Sequence, residues 1–96
     1  MAGSRGTART VTYDLVVTPP AYKGLKQAPP ATRGRLWQRI KALREDPYPP
    51  TSWPLSGAWA GLRKIRVGDY RIIYGIDDKA RMVRVVRVGH RHNVYD

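Results

Sequence analysis

The stretch LRKIRVGDYRIIYGIDDKARMVRVVRVGHRHNVY, residues 62–95, decides the fold. Three runs rich in β-branched and aromatic residues, at 62–67, 70–76 and 82–88, each predict a strand. Gly68-Asp69 joins the first two runs, and glycine reaches the positive φ of a tight hairpin turn without strain. The polar residues 77–80 join the second and third runs. The stretch therefore predicts an antiparallel meander of three strands.

Basic side chains run through all three predicted strands. An antiparallel sheet of this kind needs an apolar cover on one face and water, or a polyanion, on the other. Lys64 and Arg66 are two residues apart, so they are expected to share one face of their strand. The predicted meander carries Arg63, Lys64, Arg66, Arg71, Arg84, Arg87 and Arg91.

The length and net charge of the chain limit the classes of protein to which it can belong. A chain of 96 residues is expected to form one domain. Its formal net charge of +11 predicts attraction to polyanions such as nucleic acid, the ribosome or an acidic protein. Cysteine is absent, which excludes disulfides and thiolate metal sites. No apolar run is long enough to span a membrane and no signal-peptide pattern is present, so a cytoplasmic location is expected.

The N-terminal residues divide into an arm and a strand. Residues 1–9 lack hydrophobic periodicity and predict a flexible basic arm, which leaves residues 10–96 as the folded domain. Residues 10–17 alternate between apolar and polar side chains and predict the first strand. The pattern does not fix which edge of the sheet this strand takes.

Two helices are expected between the first strand and the meander. Residues 21–27 predict a short helix. Residues 31–45 predict a longer one, because Leu36, Ile40 and Leu43 recur at helical spacing. The arginines on its other side are expected to face water. Together these elements predict an α+β fold, a four-stranded and mainly antiparallel sheet with two helices on one face.

A proline-rich segment connects the second helix to the meander. Residues 46–54 are interpreted as a loop. Trp53, Leu55 and Trp59 are expected to pack against the sheet. The alternative for Trp59 is an exposed ring that stacks on a base.

Three motifs in combination resemble a known family. They are Leu55-Ser56-Gly57, the hairpin GDYRIIY at 68–74, and the ending VGHRHNVY at 88–95. Their order and spacing resemble the RelE/ParE superfamily of bacterial toxins, over about residues 10–95. The resemblance implies a RelE-like fold. It also implies one of two activities: RelE-type members cut mRNA in the decoding site of the ribosome, and ParE-type members poison DNA gyrase. Both types are held inactive by an antitoxin.

The resemblance also implies a set of site residues. Those matching the catalytic positions of RelE-type members are Lys64, Arg66, Arg71, Arg91 and Tyr95. Further candidates for RNA binding or acid–base chemistry are Arg63, Arg87, His90 and His92. ParE-type toxins usually lack the full catalytic set, which favours the RelE type. The two histidines depart from the family pattern, since several relatives have lysine or an acidic residue there.

These residue types suit RNA cleavage without a metal or other cofactor. Attack of the 2′-hydroxyl on the neighbouring phosphate needs a base, cations for the added charge, and an acid for the 5′-oxygen. Arg71 can bind two phosphate oxygens at once. Neighbouring cations disfavour the charged ammonium of a lysine and stabilise the phenolate of a tyrosine, so Lys64 and Tyr95 are candidate bases. His90 and His92 are candidate acids.

Each assignment has a structural alternative. Arg71 could pair with Asp69 or Asp78, and Tyr95 could stack on a base rather than transfer a proton. The favoured hypothesis is a ribosome-dependent mRNA endonuclease that inhibits translation and forms a hetero-oligomer with an acidic antitoxin. The alternatives are a gyrase poison without nuclease activity and a non-catalytic basic protein that binds ribosomes or nucleic acid.

Overall fold

The computed structural model describes residues 12–95. The predicted arm at 1–9 and the beginning of the predicted first strand lie outside the described residues. Two helices and five strands follow one another along the chain, with a short 3-10 helix at Gly57–Trp59. Their bounds are β1 Asp14–Val17, α1 Pro19–Gln27, α2 Pro30–Ala42, β2 Ser52–Pro54, β3 Arg63–Val67, β4 Tyr70–Asp77 and β5 Met82–His90.

The sheet has the order β1-β5-β4-β3-β2. The predicted meander is confirmed: β3, β4 and β5 are antiparallel neighbours, and Val67 pairs with Tyr70 around Gly68, whose φ is +60°. The first strand lies at the edge beside β5 and runs parallel to it, with Asp14 opposite Met82. The α+β class and the two helices are therefore confirmed, in a mixed sheet.

The prediction of four strands is wrong, because the segment interpreted as a loop contains a fifth. Ser52–Pro54 forms β2 and pairs antiparallel with β3, with Trp53 opposite Lys64. Three residues that end in proline are too short to display a period of two, and proline is tolerated only at a sheet edge. β2 occupies that position.

Both helices are present as predicted, but their ends differ from the predicted ones by a few residues. α1 begins earlier than expected, at Pro19, because proline fits the first turn of a helix. The Thr18 hydroxyl caps it by accepting a hydrogen bond from the backbone N–H of Ala21. α2 ends at Ala42 rather than 45. No helix in residues 12–95 is long and apolar enough to cross a membrane.

α1 packs closely on β5, and a glycine makes this approach possible. A Cβ atom added at Gly24 would lie 1.7 Å from the carbonyl oxygen of Val88. Only a residue without a side chain fits there. This contact covers the part of β5 that extends beyond β1, where the Thr18 side chain also donates to the Val86 carbonyl at 3.1 Å.

The core lies between the helices and one face of the sheet. Leu36, Ile40 and Leu43 are buried as predicted. Tyr74 is also fully buried, and its hydroxyl donates to the Pro47 carbonyl at 2.8 Å. Burial raises the pKa of Tyr74, since it penalises the charged phenolate. The strand residues on this face of the sheet include Ile65, Val67, Ile72, Tyr74, Val83, Val85 and Val88.

A β-bulge interrupts the pairing of β4 and β5. Ile73 is opposite Arg87 and Tyr74 is opposite Val85, which leaves Val86 as the extra residue. Both Val85 and Val88 therefore reach the core although they are three residues apart. By the same shift, Arg84 and Arg87 lie on the same face of the sheet.

The turn after β4 is held by a carboxylate between two tyrosines. Asp78 accepts hydrogen bonds from the hydroxyls of Tyr13 at 2.6 Å and Tyr48 at 2.7 Å. These bonds stabilise the carboxylate and lower the pKa of Asp78, while they raise the pKa of each tyrosine. The predicted exposed turn at 77–80 is thus linked to Tyr13, the residue before β1, and to Tyr48 in the segment before β2.

Candidate nucleic-acid interface

The face of the sheet opposite the helices, here called the open face, carries most of the predicted site. Lys64 and Arg66 alternate with the core residue Ile65 on β3, so both lie on the open face, as expected. Arg71 lies opposite Arg66 on β4, and the bulge adds Arg87 from β5. Four predicted site residues on three adjacent strands are therefore brought together.

One row of residues crosses the open face at right angles to the strands. Trp53, Lys64, Ile73 and Arg87 are successive partners in the register. Ile73 is fully buried although it faces away from the helices. The open face therefore has an apolar centre between two cations, and an aromatic ring at its β2 edge.

Trp59 and Tyr95 lie over the β5 side of the open face. The guanidinium carbon of Arg87 is 5.9 Å from the centre of the Trp59 ring, and the Tyr95 ring meets Trp59 edge to face at 5.5 Å. Residues 91–95 form a turn in which the N–H of Val94 donates to the His90 carbonyl. This turn places Tyr95 beside Trp59, at the margin of the open face.

Arg71 is held by the hairpin that precedes it. Its Nη1 donates to the carbonyls of Gly68 and Tyr70, each at 2.9 Å. Arg71 therefore binds backbone carbonyls, and the alternative of an ion pair with Asp69 or Asp78 is not observed among residues 12–95. Guanidinium has five N–H donors, so Nε and Nη2 remain as a two-pronged fork. These two bonds hold the Arg71 side chain in place and do not involve its Nε and Nη2 donors.

Arg91 approaches the same hairpin from the C-terminal turn. Its backbone N–H donates to the Asp69 carbonyl at 2.7 Å, and its Nε is 3.7 Å from the Asp69 carboxylate. Both side chains are more than half exposed. Such a pair contributes little to stability in water. The contact holds Arg91 at the hairpin that also holds Arg71, without burying its charge.

Arg66 rests on an aromatic ring at the edge of the open face. Its guanidinium carbon lies 5.1 Å from the centre of the Trp53 ring. The prediction that Trp53 packs into the structure is only half right, because 47% of its surface is exposed.

Arg63 does not join the other cations. It alternates with Lys64 and so lies on the helix side of β3. Its Nε and Nη2 donate to the Ser52 hydroxyl at 3.1 and 2.9 Å, and its guanidinium lies over the Tyr48 ring. These contacts tie β2 to β3.

The two histidines also lie apart from the open face. His90 is opposite Tyr70, and their rings meet edge to face at 5.6 Å on the helix side of the sheet. His92 stacks on His90 at 4.9 Å, and its backbone N–H donates to the His90 Nδ1. His90 lines a cleft of about 630 Å³ together with residues of α1 such as Lys23.

Charge is distributed unevenly along the open face. Asp77 follows the same alternation on β4 as Arg71 and Ile73, so it shares their face, but it lies six residues from Arg71. That spacing corresponds to about 20 Å along a strand. Asp77 therefore lies at the far end of β4, and the end that bears Arg66, Arg71 and Arg87 has Asp69 beside it, whose carboxylate is paired with Arg91.

The fold and its cationic face define a class of small toxin. The chain belongs to the family "ParE toxin of type II toxin-antitoxin system, parDE", whose model matches residues 15–95, and thereby to the RelE/ParE superfamily.

Solved structures support the same class. The toxin–antitoxin complex RelBE2 of Mycobacterium tuberculosis contains a chain with 32% identity and a TM-score of 0.75. The match covers 84% of this protein and 100% of that chain. A chain of the archaeal RelE–RelB complex of Pyrococcus horikoshii is 26% identical with a TM-score of 0.73, over 85% and 98% of the two chains. The isolated RelE toxin of E. coli is 25% identical with a TM-score of 0.69, over 81% and 83%. No curated protein matches the chain.

Two features of the site escaped the sequence analysis. One is the bulge at Val86, whose signal is the spacing of the core valines 83, 85 and 88. The other is the exposure of Trp53, which depends on the unrecognised strand β2.

Proposed function

We propose that this toxin is a ribosome-dependent mRNA endonuclease that acts in the cytoplasm and inhibits translation. The observation that supports it is the convergence of Lys64, Arg66, Arg71 and Arg87 on one face of the sheet, with Tyr95 at its margin. Cations so placed can neutralise the charge that develops on a phosphate under attack.

In the proposed reaction, the 2′-hydroxyl of the RNA attacks the adjacent phosphorus and the bond to the 5′-oxygen breaks. The products are a 2′,3′-cyclic phosphate and a 5′-hydroxyl. The free Nε–Nη2 fork of Arg71 would bind two oxygens of the phosphorane. Lys64 and Arg66 would supply further positive charge. No metal or cofactor is required in this route.

Proton transfer is assigned to groups at the margin of the open face. Lys64 and Tyr95 are the candidates for removing the 2′ proton. Arg91, held at the same hairpin as Arg71, would add charge rather than a proton, since guanidinium does not lose its proton in proteins. His90 and His92 remain the candidate acids. Their contacts on the helix side mean that RNA would have to reach around the end of β5 to meet them.

The ribosome would hold the mRNA in a fixed orientation, which the open face of the toxin alone does not do. The open face is a surface rather than an enclosed pocket, and a flexible strand laid on it has many orientations. Holding the strand in one orientation can account for much of a catalytic effect. We therefore expect free RNA to be cut poorly and mRNA in the decoding site to be cut well.

The proposed partner in the resting state is an acidic antitoxin that forms a hetero-oligomer with the toxin and covers the cationic face. The net charge of +11 favours such a partner. Complementary charge should make association fast and sensitive to salt. An adjacent protein that binds equally well at low and high salt and does not restore growth would contradict this part of the proposal.

Mapping of transcript ends during induction tests the activity. New ends within translated messages, dependent on ribosomes, are expected. A matched strain that expresses Arg71→Lys should show few of them. Vigorous cleavage of naked RNA by the purified toxin, without stimulation by ribosomes, would contradict the mechanism.

A second candidate is a gyrase poison of the ParE type. The observation that favours it is the family model itself, which describes ParE toxins. This candidate predicts gyrase-linked DNA breaks with intact transcripts in the same induced cells. Growth arrest with neither lesion would favour a non-catalytic binder of ribosomes or nucleic acid.

A further inference from the structure

An exposed tryptophan borders the cationic cluster without a role in the proposed chemistry. Trp53 is the central residue of β2 and points to the open face, opposite Lys64. Nearly half of its surface, 47%, is exposed. Exposure alone does not mark a binding site, since Trp37 and several tyrosines are exposed to a similar degree. Trp53 differs from Trp37 in its position beside the cations of the open face.

The contact with Arg66 links Trp53 to these cations. Its guanidinium carbon lies over the Trp53 ring at 5.1 Å, so one side of the indole holds a cation that belongs to the proposed site. The ring surface that remains exposed lies at the end of the row that leads through Lys64 to the buried Ile73. An aromatic surface thus adjoins two positive charges.

Few ligands match both features. The phosphates of a polyanion satisfy Lys64 and Arg66, but only a ligand that also carries flat apolar rings uses the Trp53 ring. Single-stranded nucleic acid has this combination, and proteins that bind it pair cationic grooves with aromatic side chains on which bases stack. An acidic peptide would satisfy the cations alone.

We propose that Trp53 is a base-binding residue, on which a nucleobase of the RNA neighbouring the cleaved phosphate stacks. This inference rests on the proposed function and adds a contact to its substrate. Three inter-strand spacings separate Trp53 on β2 from Arg87 on β5, a distance on the order of 14 Å. The row from Trp53 to Arg87 is therefore long enough to hold more than one nucleotide. Trp53 binds the base, while Lys64 and Arg66 bind the phosphates beside it.

A binding assay without ribosomes separates stacking from charge. The two probes are a labelled oligouridylate about ten nucleotides long and an abasic oligomer of equal length, with the same phosphates and no bases. Trp53→Ala should weaken oligouridylate binding about 10-fold, the scale expected for one stacked base. The same variant should bind the abasic oligomer like the wild type, and Trp53→Tyr should retain most of the affinity for oligouridylate.

The chain offers a matched control and a direct readout. Trp37 is exposed to a similar degree, 38%, but lies on α2, so Trp37→Ala should bind both probes normally. Because the chain has three tryptophans, Trp37→Phe combined with Trp59→Phe leaves Trp53 as the only one. Oligouridylate should quench its fluorescence, and the abasic oligomer should not.

The outcomes distinguish this inference from the proposed function. Equal oligouridylate affinity for Trp53→Ala and the wild type, or unchanged Trp53 fluorescence, overturns the inference even if the toxin cleaves mRNA. A wild type that fails to bind oligouridylate at low salt also overturns it. If binding depends on Trp53 as described but ribosomal mRNA stays intact, the stacking contact stands and the nuclease proposal fails.

Discussion

Arg71 and Arg91 are attached to neighbouring residues of one turn. Arg71 donates from Nη1 to the Gly68 carbonyl at 2.9 Å, and the backbone N–H of Arg91 donates to the Asp69 carbonyl at 2.7 Å. The β3–β4 hairpin therefore holds two predicted site residues that are twenty positions apart in the chain. A single turn sets their relative position.

Replacing Arg71 by lysine tests chemistry against charge. Lysine keeps one positive charge but lacks the Nε–Nη2 fork that would bind two phosphate oxygens. We expect single-turnover cleavage on programmed ribosomes to fall about 10²-fold or more, the size typical of losing one preorganised contact to the transition state. Ribosome binding should change little, because many other cations contribute to it.

Arg39→Lys is the control for this change, since Arg39 is exposed on α2, away from the open face. It should alter neither cleavage nor binding. Normal cleavage by Arg71→Lys would mean that Arg71 only braces the hairpin through its bonds to the Gly68 and Tyr70 carbonyls. A loss of activity explained by a lower melting temperature would lead to the same conclusion.

Removing the Tyr95 hydroxyl tests proton transfer. Tyr95→Phe keeps the ring that meets Trp59 edge to face, so the melting temperature should not change. If the hydroxyl acts as the base, cleavage on ribosomes should fall about 10²-fold, the lower end for general base catalysis. Near-normal cleavage would instead leave stacking as the role of the ring.

The Asp78 cluster makes stability depend on pH in acid. Hydrogen bonds from Tyr13 and Tyr48 lower the pKa of Asp78 below its ordinary value of 3.8. A carboxyl with a lowered pKa in the folded state stabilises the fold above its unfolded pKa, and this contribution is lost as pH falls through the folded value. Asp78→Asn should therefore melt below the wild type at pH 7, and the difference should vanish in strong acid.

Thermal denaturation from neutral to strongly acidic pH measures this effect. The double variant Tyr13→Phe with Tyr48→Phe removes the same hydrogen bonds from the other side, so it should reproduce the pH dependence of Asp78→Asn. A constant difference between wild type and Asp78→Asn at every pH would contradict the assignment.

Alanine substitutions at two helical glycines should change the stability of the protein in opposite directions. At Gly24 the new Cβ would lie 1.7 Å from the Val88 carbonyl oxygen, so α1 must move off β5, and we expect a loss of about 1–3 kcal/mol. At Gly34 nothing lies within 4 Å, so alanine should stabilise α2 by about 0.5–1 kcal/mol. Urea unfolding of both variants checks the pair. Equal effects would show that the α1–β5 contact is looser than described.

The parts of the fold that follow a local pattern could be predicted from the sequence. Gly68 supplies the positive φ of the hairpin, and the apolar spacing of α2 selects the buried Leu36, Ile40 and Leu43. The β2 strand could not be predicted, because three residues ending in Pro54 show no periodicity. Nor could the parallel pairing of β1 with β5, since the edge a strand takes depends on packing distant in sequence.

The positions of the site residues could likewise be predicted only where they follow a local pattern. Strict alternation places Lys64 and Arg66 together, and the structure agrees. Alternation alone would place Arg84 and Arg87 on opposite faces, and only the extra residue in β5 unites them. The separation of His90 from the open face depends on its contact with Tyr70, which pairing across the sheet creates. The catalytic roles of these residues stay predictions.

The order of the strands gives this sheet short edges, to which a strand of another molecule could add few hydrogen bonds. Its two longest strands, β4 and β5, are interior, while the edges are the four-residue β1 and the three-residue β2, which ends in proline. α1 covers the rest of β5 at Gly24. Short or covered edges oppose uncontrolled strand addition and aggregation. The exposed arginine side chains, rather than the backbone of an edge strand, are therefore the groups that this sheet presents to another molecule.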